Sequence, residues 1–176
     1  NGLLLSGTKD KTSTEINGEI DALGGFFESG ISNENSVLTI HALRENLLPI
    51  LHIIADAING LELHLHEVEE LISDRKQKFK VSMEKVNYLA QRGFQQRLFH
   101  DSIYGRIANL EDFDNINKFD LKKFHCDNYL NGLTKVSVVG NLSQDEIDEI
   151  IDITGKWANE KELSFEQNIS NLKGIS

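Results

Sequence analysis

The sequence predicts an α+β domain, because capped amphipathic helices predominate, strands are few, and the two do not alternate one for one. Hydrophobic residues at 39% and charged residues at 26% sit near the globular average, which sets aside disorder, collagen and repeat classes. A length of 176 residues suits one ordinary domain able to build its own core without disulfides or a metal staple.

Leu3, Leu4 and Leu5 followed by Ser6-Gly7-Thr8 read as the last turn of a helix, with Gly7 at C′. The chain is therefore expected to begin in mid-element. Thr12-x-x-Glu15 is a capping box, and Ile16, Ile20 and Leu23 follow at helical spacing until Gly24-Gly25 stops the run. Residues 30–42 carry a turn and then alternate, with Val37, Thr39 and His41 on one side and Leu38, Ile40 and Ala42 on the other. That is a strand.

A second helix is expected over 46–59, capped by Asn46, with Pro49 tolerated in its first turn. Leu47, Leu48, Ile50, Leu51, Ile53, Ile54 and Ile58 nearly encircle it, leaving Pro49, His52, Asp56 and Asn59 as one narrow wet stripe. Such a helix packs deep against a sheet. A long polar helix follows over 67–83 and a third helical pattern over 86–100 carries Leu89, Ala90, Phe94, Leu98 and Phe99, then loop signals come at Tyr104-Gly105 and over 112–117. Residues 119–129 form another helix, with Leu121, Phe124 and Cys126 available for packing. Residues 135–139 read as a buried strand ending at Gly140, and the capping box Ser143-x-x-Glu146 opens a helix carrying Ile147, Ile150, Ile151 and Thr154. From Ala158 onward the chain is polar and aperiodic, so 158–176 reads as a linker with room for one short strand.

Composition narrows the function classes. A net charge of −10 argues against a nucleic-acid partner, whose phosphates need a Lys/Arg stripe, and the basic cluster Arg75, Lys76, Lys78 and Lys80 covers one solvated helix face. No apolar run approaches the ~18–20 residues of a spanning helix. The lone Cys126 excludes an intrachain disulfide and any multi-cysteine zinc site.

The densest ligand cluster is His64-Leu65-His66-Glu67, which can bind transition metals in principle but sits among Glu62, Glu69 and Glu70 like a wet loop entering a helix. His41 belongs to a strand, His52 to the wet stripe, and His100 to a helix end. His125 and Cys126 are adjacent in sequence, so their side chains diverge and make a poor nucleophile/base pair. Gly24-Gly25 is a helix stop, since no phosphate-loop pattern follows it.

Taken in order, the landmarks Ser6-Gly7-Thr8, Leu23-Gly24-Gly25-Phe26-Phe27, VLTIHALRENLLPILHIIADAI, Tyr104-Gly105, DLKKFHCDNYL and KVSVVGNLSQDEIDEI are similar to the first half of an insulinase/pitrilysin-type subunit. That metallopeptidase group includes mitochondrial processing peptidase and many bacterial zinc proteases. The resemblance covers residues 3–157. It implies an antiparallel sheet flanked by helices, a half-domain of the mitochondrial processing peptidase type truncated at both ends. Residues 1–157 would be that half-domain without its N-terminal strands, and 158–176 the linker toward a second half.

In active members the motif HxxEH lies on the helix that ends at the Gly-Thr pair, with two His as zinc ligands and the Glu as general base. Counted back from Gly7-Thr8, the base falls at Asn1 and the second His at Gly2, while the first His precedes the chain. Neither residue can do that work. The third ligand, a Glu on a later helix, falls near Lys78, in a stretch without acids between Asp74 and Glu84. No catalytic, cofactor-binding or metal-ligating residue is therefore assigned to this chain, and zinc is expected in a catalytic partner.

The expected role is a non-catalytic subunit or domain, inactive alone. It would hold unfolded peptide opposite a homologous partner that carries HxxEH, as in a heterodimer. The alternative is a scaffold of the same fold with no peptidase role, as the core proteins of the respiratory cytochrome complex are within this family. A neighbouring gene for an HxxEH homologue would favour the first. The compartment is open, with a bacterial periplasm or cell envelope favoured over cytoplasm.

Overall fold

A computed structural model describes residues 2–100, 102–133 and 135–157. The Thr12–Glu15 capping box opens helix α1, Ser13–Ala22, as expected: the Thr12 hydroxyl accepts from the Glu15 amide, and the Glu15 carboxylate returns a bond to the Thr12 amide. Ile16 and Ile20 fall one turn apart on its inner face, each 1% exposed. Gly24 then takes a positive φ of 67°, which ends the helix and turns the chain.

Two strands follow where the alternation had marked one: β1, Phe26–Ile31, and β2, Ser36–His41, paired antiparallel with Phe26 opposite His41. β1 was not legible because Glu28, Ser29 and Gly30 dilute its apolar pattern. Phe27, Leu38 and Ile40 pack toward the core, whereas Phe26 stacks on His41 on the other face, ring centroids 4.5 Å apart.

Helix α2, Arg44–Asn59, is the centre of the core. Ile50, Leu51, Ile54, Ala55, Ala57 and Ile58 are buried, and the predicted stripe of Pro49, His52, Asp56 and Asn59 is exposed. The helix begins earlier than expected, so Asn46 is not its cap. Its Nδ2 instead donates 2.8 Å to the Leu23 carbonyl at the end of α1, and Leu43 occupies the cap position without a side-chain bond. Pro49 consequently lies inside the helix rather than in its first turn, where it removes one backbone donor.

Helices α3, Leu65–Met83, and α4, Val86–Phe99, pack on one another, and the short α5, Leu110–Asp114, closes on α3 where loop signals had been read. Phe79, Tyr88 and Phe113 cluster there, with the Arg92 guanidinium over the Phe79 ring at 5.3 Å. Helix α6, Lys118–Asn128, turns inward on His125, with Phe124 half-exposed rather than packed. Leu121 precedes His125 by one turn on the same face, the signal that would have identified the buried side.

Helix α7, Gln144–Gly155, opens on the second capping box and sends Ile150 and Ile153 into the core with Trp157, whose indole N–H donates 2.8 Å to Asn59 Oδ1. Ile151 stays 58% exposed. Residues 135–139 run without a ladder partner among the described residues, so the expected strand is not formed there. A strand needs neighbours to satisfy its amides and carbonyls, and β1 and β2 pair with each other instead. The predicted last helical turn at Leu3–Leu5 is a simple turn, closed by the Ser6 amide on the Leu3 carbonyl. The 158–176 linker lies outside the described residues.

Candidate functional site

A groove of about 440 Å³ opens between the first residues of the chain, the β1–β2 hairpin and α3. Residues 2–6 form one side and Glu67, Glu70, Leu71 and Asp74 the other, with Phe27, Ser29 and Leu38 from the hairpin and Ser13 and Asn17 from α1. The helical period produces the α3 wall, since positions 67, 70, 71 and 74 project to one side of a single helix.

The position resembling the second zinc ligand, Gly2, lies in this groove, and a side chain there would start 3.5 Å from Leu71 Cδ2 and 3.7 Å from Arg75 Nη2. The α3 residue facing Gly2 is thus Leu71. Lys78 lies further along α3, exposed, and is not part of the lining. The α3 acids that line the groove are Glu67, Glu70 and Asp74. Asn1 lies outside the described residues.

Two polar atoms in this groove are buried without a hydrogen-bond partner, Ser6 Oγ and Glu67 Oε2. Such groups cost stability unless something satisfies them. The donor set does not fit tetrahedral zinc, which takes imidazole, thiolate and carboxylate ligands converging on one point. The lining has no His or Cys, Gly2 offers no side chain, and Leu71 presents a methyl where a ligand is needed. Among the described residues no group of three or more His, Cys, Asp or Glu is arranged to hold a metal. What the groove can offer is carboxylate and hydroxyl acceptors beside an apolar floor of Leu4, Leu5 and Leu38.

The other sequence candidates are not gathered here. His64 precedes α3 as its cap residue without a cap bond, and the His66 side chain is 88% exposed, 3.7 Å from Glu70. His52 pairs with Glu149 of α7 at 2.8 Å on the surface. His100 ends α4 with a positive φ of 43°. His125 is buried, and Cys126 beside it is half-buried.

The family model for insulinase, peptidase family M16, matches residues 1–105. An uncharacterized zinc protease of Rickettsia bellii is 26% identical over 152 residues, which cover 82% of this chain and 36% of that protein. The β subunit of the bovine (Bos taurus) mitochondrial-processing peptidase is 24% identical over 153 residues, covering 84% of this chain and 31% of the subunit. The chain spans about a third of the length of these relatives. A crystal structure of a peptidase M16 inactive domain from Pseudomonas fluorescens superposes with a TM-score of 0.82 at 19% identity, over 89% of this chain and 39% of that one. That superposition shows the α+β half-domain fold, and the match over residues 1–105 shows the family: the chain belongs to the insulinase family, peptidase family M16.

Proposed function

We propose that this chain is a non-catalytic, substrate-holding half of a zinc metallopeptidase, acting opposite a homologous subunit or domain that carries HxxEH. The observation that carries this reading is Leu71 facing Gly2 in the groove where the resemblance puts the metal site. A family member whose groove lacks the ligands but keeps its shape is suited to binding rather than hydrolysis. The polar acceptors at Ser6, Glu67, Glu70 and Asp74 would take donors of an extended peptide, and Leu4, Leu5 and Leu38 its apolar side chains. The metal, in the partner, would supply the activated water.

The test is cleavage of an unfolded peptide such as insulin B chain. The isolated chain is expected to leave it intact, and a mixture with an HxxEH homologue to cleave it faster than the homologue alone. Chelator-sensitive cleavage by the isolated chain would overturn the reading. Equal rates with and without the chain would favour a scaffold.

A further inference from the structure

Two helices far apart in sequence present outer faces that are alike in apolar content and opposite in charge. α4 rests on α3 through Tyr88 and Arg92, both in contact with the Phe79 ring. Its other side carries Val86, Ala90 and Phe94 at four-residue spacing with Leu89 beside them, Val86 78% and Phe94 66% exposed. α4 buries none of its residues, and apolar side chains grouped in water on one face are the mark of an interaction surface. Arg97 falls in the same row, and Lys85 precedes its first residue. Neither enters a salt bridge with another described residue. They belong to a wider positive field: residues 75–106 hold eight Lys and Arg against Glu84 and Asp101, whereas the rest of the chain holds ten against 26 Asp and Glu.

The counterpart is on α7. A second groove, about 520 Å³, runs between α7 and the unladdered segment before it, with Val136, Val138 and Leu142 on one side and Ile147 and Ile151 on the other. Val138 is 46% exposed, so this apolar surface also stands in water. Asp148 and Asp152 follow Ile147 and Ile151 by one residue each and border the groove as an exposed acidic row, although Lys135 contributes a cation to the lining.

We propose that a second copy of this chain covers both faces, the exposed side of α4 in one molecule docking into the α7 groove of the next. Val86 and Phe94 fill the apolar groove, and Arg97 meets the Asp148–Asp152 row. Charge selects this pairing. Two α7 grooves placed face to face would oppose two acidic rows, whereas α4 brings the opposite sign to an apolar surface. Within one molecule α4 packs on α3 and α7 on α2, so the two faces serve different parts of the fold and meet between copies. The contact is heterologous, and each docked pair keeps one α4 and one groove open.

Sedimentation velocity of the full chain tests this. At ~100 μM in about 50 mM salt the wild type should sediment above monomer mass, and at about 0.5 M salt, where screening shortens to a few ångström, it should return to monomer. Phe94→Glu spoils only α4 and Ile151→Glu only the groove, so each alone should be monomeric. Mixed in equal amounts they retain one intact α4 and one intact groove, and should form a dimer that grows no further. Both positions are exposed, and thermal melts check that each variant folds. Should either fail, Arg97→Glu replaces the first and Val138→Glu the second. A wild type that is monomeric at low salt, association that salt leaves unchanged, a single variant that still associates, or a mixture that stays monomeric each overturns the proposal.

Discussion

Ile50 leaves no room for a side chain at position 25: a Cβ on Gly25 would lie 2.3 Å from Ile50 Cδ1 and 3.1 Å from the His41 carbonyl oxygen. The start of β1 thus approaches α2 so closely that the hairpin seats directly on the core helix. Gly25→Ala forces Ile50 off its rotamer or lifts the hairpin, and should cost ~1–3 kcal/mol. A urea titration would check it, and an unchanged midpoint would mean that the contact is looser than drawn. Gly24→Ala differs in kind, because open space surrounds Gly24 and its cost comes from the positive φ of 67°.

The packing around α2 predicts a contrast between neighbouring residues. Ile54 is 1% exposed, so Ile54→Ala should cost ~2–5 kcal/mol, and Leu51→Ala a comparable amount. His52→Ala removes a surface pair with Glu149, a loss of at most ~1 kcal/mol. Thermal melts of the three variants measure the order directly. If His52→Ala were the most damaging, the helix would be turned the other way.

Glu146 serves two structures at once. It closes the capping box of α7 and accepts a bidentate pair from Arg44 at 2.9–3.2 Å, joining the starts of α2 and α7. The Arg44 guanidinium first, and then the Ser143 amide and hydroxyl, lower its pKa from 4.5 to about 2. The carboxylate's contribution is therefore complete above 4.5 and is lost as pH falls through about 2. Melting temperatures of wild type and Glu146→Gln should differ at neutral pH and converge across that window. A gap that persists under acid would place the effect in the shape of the side chain rather than its charge.

Purified chain dialysed against metal-free buffer should carry no stoichiometric zinc. Plasma emission spectrometry measures this directly. One zinc per chain, lost in His64→Ala or His66→Ala, would restore the exposed cluster at the start of α3 as a metal site.

How far the chain could be read in advance follows from where each signal resides. Both capping boxes, at Thr12–Glu15 and Ser143–Glu146, are local reciprocal bonds across three residues, and both opened helices as expected. The wet stripe of α2 was legible for the same reason, since one helical period separates faces without reference to the rest of the molecule. His125 was marked only by Leu121 one turn earlier on the same face, and a histidine on a polar helix otherwise looks like a surface residue until the fold buries it. The facing of Gly2 and Leu71 was likewise hidden: residues 69 positions apart meet only through the route of the chain between them.

The sequence by itself determined the longer helices, which face of α2 is apolar, the resemblance to the insulinase family, and the absence of imidazole at position 2. These are properties of spacing and residue type. Tertiary structure decided that Leu71 rather than Lys78 faces Gly2, that Glu67 and Ser6 bury unpartnered oxygens in one groove, and that 135–139 runs without a ladder partner among the described residues. Each depends on which elements approach one another. Approach is set by the summed burial of the core and by close contacts such as Gly25 on Ile50, and neither quantity has a local period to be read.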